Sequence, residues 1–252
     1  MVRLEPSKVI EGLNIAGTVL RPYLEPDGPG ILDEARSEVQ ASHDAYRQRV
    51  HRGRAGSQAE EWGYHIWPGR PLSFRPFDIN GAHLQIDLFC EIKWKRPGEL
   101  PCRQSLVMRV WSRNPSVFFR DGIDSKDLRD SEPERRVMLR YHFDLGNEGQ
   151  PGPRYHVQAG GKAEDCELCW LHTAVDVPRM PFHPMDIILG CEMATTSFLD
   201  DGLRLALQDA KWLRALSSSQ KHLLSAYYRT CFRHLEHGTD SLLKCLWNGT
   251  TY

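Results

Sequence analysis

Residues 136–158, RVMLRYHFDLGNEGQPGPRYHVQ, decide the fold that this sequence predicts. Apolar and polar residues alternate along residues 136–145 and again along residues 154–158, which is the pattern of strands that bury one face. The segment between them is rich in glycine and proline, as the turn of a hairpin should be. We therefore expect an antiparallel hairpin with one apolar face and one polar face.

The polar face of this hairpin carries the candidate functional residues. They are His142, Asp144, His156, Arg140, Arg154 and Gln158. If His142 lies opposite His156, then Asp144 lies opposite Arg154, and Arg140 lies opposite Gln158. Directly opposite side chains stand about 5 Å apart at Cβ, close enough for two imidazoles to share a metal, a phosphate or a proton.

These residue types suggest ligand binding, with hydrolysis as a further hypothesis. His142, Asp144 and His156 are the catalytic candidates, with His142 as a general base whose ring Asp144 orients. Arg140, Arg154 and Gln158 are the ligand-binding candidates, since guanidinium and amide groups suit phosphate or nucleotide recognition. The competing interpretation is the solvated side of an antiparallel sheet, where polar residues are usual.

The sequence on either side predicts the rest of the fold. Residues 83–94 and 104–112 also alternate, which brings the sheet to about four to five strands. Pro184 can be the first residue of an apolar helix that includes Ile187 and Phe198. The pattern Ser217-x-x-Gln220 indicates a capping box that opens another helix, which ends at Gly238. The predicted fold class is α+β, with C-terminal helices packed on one face of an antiparallel sheet.

The domain prediction is a single domain over residues 1–252. Within it, residues 1–75 are expected to hold one helix, over about 31–52, in an otherwise irregular segment. The sheet is expected over residues 76–160 and the helical region over residues 184–248. This organisation follows from where the alternating and the helical patterns lie.

Composition and charge narrow the class of protein. The 252 residues are 40% hydrophobic and 26% charged, with a net charge of −1, so no global field favours nucleic acid or anionic membranes. Seven scattered cysteines and the lack of an N-terminal leader pattern predict a cytoplasmic location. No apolar run approaches the ~20 residues that span a bilayer, so no membrane contact is expected.

Two metal hypotheses arise from short motifs. Cys166-x-x-Cys169 with His172 offers two thiolates and an imidazole, which suit tetrahedral zinc, although the spacing is compressed and the cysteines can be incidental. Asp78 with Glu91-x-Lys93 resembles the D…E-x-K core of Mg²⁺-dependent nucleases. The alternating pattern around Glu91 argues against that core, whose strands are usually apolar on both faces.

The hairpin and the segment that follows it resemble a group of bacterial proteins without an assigned activity. The matching motifs are Y-H-F-D at residues 141–144, R-Y-H-V-Q at 154–158 and V-P-R-M-P-F-H-P-M-D at 177–186. These proteins share an H-x-D…H-x-Q hairpin followed by a P-R-x-P-x-x-P-M-D segment and an apolar helix, over about residues 136–200. The resemblance implies that hairpin and segment form a unit, with the helix N-terminus near the histidines, where it would attract anions. It also implies a setting in bacterial genome defence or toxin–antitoxin systems.

Two function hypotheses follow. The first is a bacterial conflict-associated protein that binds a phosphate-bearing or nucleotide ligand on the His/Asp/Gln face. The second is a non-catalytic adaptor or binding subunit whose C-terminal helices contact a protein partner. In the first the polar residues form a cleft; in the second the polar face is only surface and the C-terminal helices carry the partner interface.

Overall fold

The computed structural model describes residues 5–51, 61–79, 82–96, 99–112, 136–146, 153–160, 179–198, 207–239 and 242. The helices are α1 (Pro6–Val19), α2 (Gly28–His51), α3 (Ile187–Phe198) and α4 (Ala210–His237), with a 3₁₀ turn at Arg21–Tyr23. The strands are β1 (Trp62–Ile66), β2 (Leu72–Ser73), β3 (Phe77–Ile79), β4 (Ala82–Trp94), β5 (Arg103–Ser112), β6 (Arg136–Leu145), β7 (Tyr155–Ala159) and β8 (Met180–Pro181).

The strands form one antiparallel sheet, in the order β1-β4-β5-β6-β7-β8, and β2 and β3 also pair with β4. The predicted α+β class and antiparallel sheet are confirmed, and β6 covers the residues that the alternation predicted. The predicted strand number is wrong, because the described residues contain eight strands rather than four or five. The additional strands β1, β2, β3 and β8 are only two to five residues long, too short for a clear periodic pattern.

The N-terminal segment was expected to be irregular over residues 1–30, and that prediction is wrong. Pro6 occupies the start of α1, where the missing N–H costs no helical hydrogen bond. Leu13, Ile15 and Ala16 are buried on its inner side. Pro22 and Pro26 lie between α1 and α2, and Gly28, Pro29 and Gly30 form the first residues of α2, so none of them prevents a helix.

Helix α4 runs without a break from its N-cap, Asp209, whose carboxylate accepts a hydrogen bond from the Lys211 N–H at 2.6 Å. The predicted capping box at Ser217 is therefore wrong, because residues 217–220 lie inside the helix. The helix does end before Gly238, as expected. In the portion of the chain that is described, none of the helices has both the length and the apolar character of a membrane span.

One face of the sheet is covered by helices. Gly190 of α3 faces Leu106 of β5, where an added Cβ would lie 2.9 Å from the leucine Cδ2. The buried Gln104 side chain joins the layers, since its amide donates to the Phe143 carbonyl at 3.1 Å and accepts from the Met185 N–H at 3.1 Å. We call this the helix side of the sheet, and its fully buried strand residues include Ile86, Leu88, Ile92 and Leu106.

Candidate functional site

The opposite side of the sheet carries the predicted site residues. The strand register puts Asp87, Phe89, Val107, Arg109, Arg140, His142, Asp144, His156 and Gln158 on this side, which we call the polar face. The prediction that His142, Asp144, His156 and Gln158 share one face is confirmed. Arg154 lies just before β7, and its carbonyl accepts from the Gly146 N–H at 2.6 Å. Several members are buried, with Asp87 2% and Arg109 4% exposed.

The predicted register of the hairpin is wrong by two residues. His142 lies opposite Gln158, and Asp144 lies opposite His156. Arg154 is hydrogen-bonded to Gly146 rather than paired with Asp144, and the Arg140 carbonyl accepts from Gly160 at 2.8 Å rather than pairing with Gln158. Alternation determines which face a residue occupies but leaves shifts of two residues open, because such a shift keeps every side chain on its face. The two imidazoles therefore do not face each other.

The new register puts Asp144 across from His156 and two positions from His142. The His142 Nδ1 and Asp144 Oδ2 atoms are 3.9 Å apart, which is too long for a hydrogen bond. Contrary to the expectation, Asp144 therefore does not fix the tautomer of His142. The buried His156 has its Nδ1 3.0 Å from the Pro153 carbonyl. A carbonyl only accepts, so His156 carries a proton on Nδ1.

The geometry does not support the hypothesis that these side chains share a metal ion. Across the described ranges, no group of three or more His, Cys, Asp or Glu side chains is arranged to hold a metal ion. The zinc candidates Cys166, Cys169 and His172 lie outside the described residues.

The nuclease residues are not brought together. Asp78 lies across from His83, with the carboxylate 3.0 Å from the imidazole Nδ1. Glu91 is eight positions farther along β4, which at about 3.3 Å per residue is roughly 26 Å. The Lys93 ammonium lies 2.6 Å from the Glu38 carboxylate of α2. The predicted D…E-x-K magnesium site is therefore not formed.

A buried polar network on β4 and β5 was not predicted. The Asp87 carboxylate accepts from the Ser73 hydroxyl at 2.7 Å and from the Trp111 indole N–H at 2.5 Å, and it lies 3.8 Å from the Arg109 guanidinium. That guanidinium stacks near two rings, 4.8 Å from the centre of Phe89 and 5.0 Å from that of Trp111. Alternation put Asp87 and Arg109 on this face, but a repeating pattern cannot distinguish a buried polar face from a solvated one.

Arg140 lies directly opposite Arg109 on the neighbouring strand. Both side chains are buried, and directly opposite residues have Cβ atoms about 5 Å apart. Like charges in this position repel, and the Asp87 carboxylate 3.8 Å from Arg109 offsets part of the positive charge. His142 and Gln158 are next along the same face, and both are partly exposed. These groups can recognise an anion with several oxygen acceptors.

The proline-rich segment is connected to the hairpin, but the helix after it is not near the histidines. Strand β8 pairs with β7, with Pro181 opposite His156, so hairpin and segment form the unit that was expected. Helix α3 begins at Ile187 rather than at Pro184 and lies on the helix side of the sheet. The Asp186 carboxylate accepts from the Leu189 N–H at 2.9 Å and thus caps that N-terminus. The predicted anion site at this helix N-terminus is therefore wrong.

Comparison of the chain with protein-family models, with curated proteins and with solved structures found no match.

Proposed function

We propose that the polar face binds a phosphate-bearing ligand, such as a nucleotide, through Arg140, His142 and Gln158. The observation that carries the proposal is the position of Arg140 directly opposite Arg109 on a face where both are buried. Guanidinium groups bind phosphate oxygens in pairs of charge-assisted hydrogen bonds. A phosphate bound beside Arg140 would add a negative charge between the two guanidinium groups.

The members of the face have different roles in this proposal. Arg109 is held by Asp87 and two aromatic rings, so it provides a fixed charge. Arg140 contacts the phosphate, and the partly exposed His142 and Gln158 contact it from the rim. Because the 3.9 Å separation of His142 and Asp144 is too long for a hydrogen bond, the proposal is recognition and does not include hydrolysis.

The hairpin and the proline-rich segment resemble uncharacterised bacterial proteins, and this resemblance suggests the biological system in which the protein acts. Phosphate-bearing and nucleotide ligands would then act in a bacterial conflict or defence system. The support for this part is the motifs at residues 141–144, 154–158 and 177–186.

The substitution His142→Ala tests the ligand site. We expect inorganic phosphate, pyrophosphate or AMP to bind the wild-type chain in calorimetry and to raise its melting temperature. Loss of one charge-assisted hydrogen bond of about 1.5–3 kcal/mol should weaken binding by about 10- to 100-fold. The melting temperature of the unliganded variant is measured separately, because the His142 side chain is only 17% exposed and its loss can also lower stability.

His83→Ala is the matched control, since His83 is a partly exposed histidine near the start of β4 that interacts with Asp78. It should leave phosphate binding unchanged. Equal weakening by both substitutions, or no binding of any of the three probes to the wild-type chain, would contradict the proposal.

A second candidate function, protein binding, is favoured by an apolar stripe on α4. Tyr228, Phe232 and Leu235 are 53%, 60% and 66% exposed, and their spacing puts them on one face of the helix. The charged residues of α4 are mainly basic, namely Lys211, Arg214, Lys221, Arg229 and Arg233 against Glu236. A second copy of this basic helix would be repelled, so the complementary partner is an amphipathic helix with acidic flanks.

Phe232→Ser tests the stripe. The probe is a synthetic helical peptide with leucines at positions i, i+4 and i+7 and glutamates between them, measured by fluorescence anisotropy. We expect binding that weakens with salt and that falls by about tenfold or more in the variant, because central aromatic anchors dominate such interfaces. Leu213→Ser is the control, an exposed leucine on α4 about four turns before Tyr228. Similar losses for both variants would remove this candidate.

A further inference from the structure

A tight turn over residues 67–70 follows β1 and presents an exposed aromatic ring. The Arg70 N–H closes the turn by donating to the Trp67 carbonyl at 3.0 Å. The Arg70 guanidinium also donates to both oxygens of the Glu34 carboxylate of α2, at 2.7 and 2.8 Å. Pro68 fixes the backbone at the second position of the turn. The turn is therefore well anchored, although Trp67 within it is 64% exposed.

The Trp67 ring lies on the same side of the sheet as the polar face. It stacks on the His65 ring, and the two ring centres are 3.7 Å apart. His65 lies opposite Glu91, and Glu91 is two residues from Phe89 of the polar face, so these three side chains share one side. The stack covers one face of the indole, and the exposure of Trp67 leaves its other face open to solvent. Tryptophan is usually largely buried, so an open indole beside a polar face is a candidate platform for a flat ligand.

The same turn reaches the middle of the polar face. The Pro68 carbonyl accepts a hydrogen bond from the Arg109 guanidinium at 3.5 Å, and Arg109 lies opposite Arg140. Strand β1, which ends just before Trp67, and strand β6, which carries Arg140, are three strand spacings apart, or about 14 Å. A ligand that contacts both Trp67 and Arg140 therefore needs a flat ring joined to its phosphates by a spacer.

We propose that the polar face binds a nucleoside polyphosphate, with the base stacked on Trp67 and the phosphates beside Arg140. This inference rests on the proposed phosphate site and names the class of ligand that the site takes. In such a molecule the ribose separates a flat base from a chain of phosphates, as the separation of the two residues requires. Every nucleobase has a π-face, so the indole binds the base without selecting among the bases.

Calorimetry of the full chain with ADP and with pyrophosphate tests the inference, because pyrophosphate carries the phosphates without the base. We expect the wild-type chain to bind ADP at least about tenfold more tightly than pyrophosphate, since stacking of one base on an aromatic ring contributes on this order. Trp67→Ala should remove that difference and leave pyrophosphate binding unchanged. Trp67→Phe keeps an aromatic ring and should retain most of the difference.

Two controls separate base stacking from folding. A retained affinity of Trp67→Ala for pyrophosphate would show that this variant is folded and that its phosphate site is intact. Tyr228→Ala removes an aromatic ring of similar exposure, 53%, from α4, which packs on α3 on the helix side of the sheet. Because Tyr228 is remote from the polar face, its removal should change the binding of neither probe.

Equal affinities of the wild-type chain for ADP and pyrophosphate would overturn the inference, and so would a Trp67→Ala variant that keeps the preference for ADP. Equal weakening of both probes by Trp67→Ala would also contradict it, because the ring would then act on the phosphate site rather than on a base. In each of these cases pyrophosphate still binds the wild-type chain, so the proposed phosphate site remains supported. If neither probe binds the wild-type chain, the proposed function and this inference both fail.

Discussion

Gly63→Ala is expected to destabilise the protein by about 4 kcal/mol or more, which is exceptional for a single substitution. Gly63 lies in β1 opposite Lys93 of β4, with a φ of +157°. A Cβ at this position would lie 2.0 Å from the Ile92 carbonyl oxygen. That oxygen is backbone in the middle of the sheet, so no side-chain rotation can relieve the overlap.

The overlap would move β1 away from β4 and disturb contacts on both sides of the strand. The Gly63 N–H and carbonyl each bond to the Ser42 hydroxyl of α2 at 3.2 Å. The neighbouring Trp62 ring stacks on Trp94 at 4.7 Å, and the Tyr64 hydroxyl accepts from the first N–H of α3 at 3.3 Å. The strand therefore connects α2 and α3 to the sheet, and its displacement affects all three.

Urea unfolding of the purified variant measures this effect. Gly30→Ala in α2 is the matched control: a Cβ there meets nothing within 4 Å, so alanine should be neutral or stabilising by about 0.5–1 kcal/mol. A loss below about 1 kcal/mol for Gly63→Ala would show that β1 can shift at little cost, against the steric argument. A variant that accumulates only as unfolded protein would agree with the steric argument.

The elements with a long periodic pattern could be predicted from the sequence, and the short ones could not. The long strands β4 and β6 follow their alternation, because each carries one mainly apolar face along ten or more residues. Strand β1 has only five residues, of which Trp62, Tyr64 and Ile66 face the core. Pro68 and Pro71 follow that strand and do not interrupt it, although their presence suggested an irregular segment.

The sequence predicted which side of the sheet the candidate site residues occupy, but not which of them lie opposite each other. Alternation correctly put His142, Asp144 and His156 on one side, since neighbouring positions on a strand point to opposite faces. The register depends on the loop between Gly146 and Arg154, whose length and geometry no periodic pattern specifies. The burial of Asp87 and Arg109 depends on tertiary contacts, such as the two rings that flank the guanidinium.

Asp87→Ala is the second substitution expected to have a large effect, with a loss of about 3–5 kcal/mol in the free energy of unfolding. It removes the carboxylate that faces the buried Arg109 guanidinium at 3.8 Å. It also leaves the Ser73 hydroxyl and the Trp111 indole N–H without their acceptor. The loss of this carboxylate from beside the buried guanidinium accounts for most of the expected effect, because desolvation of the charge is then less well compensated.

Two comparisons separate this electrostatic cause from a simple loss of volume. Asp78→Ala removes a carboxylate that is 73% exposed and should have little effect, because exposed ion pairs contribute little. The double variant Asp87→Leu with Arg109→Met removes both charges and keeps the apolar volume, so it should be more stable than Asp87→Ala alone. If the double variant were less stable than the single one, packing around the network rather than its charge would govern stability.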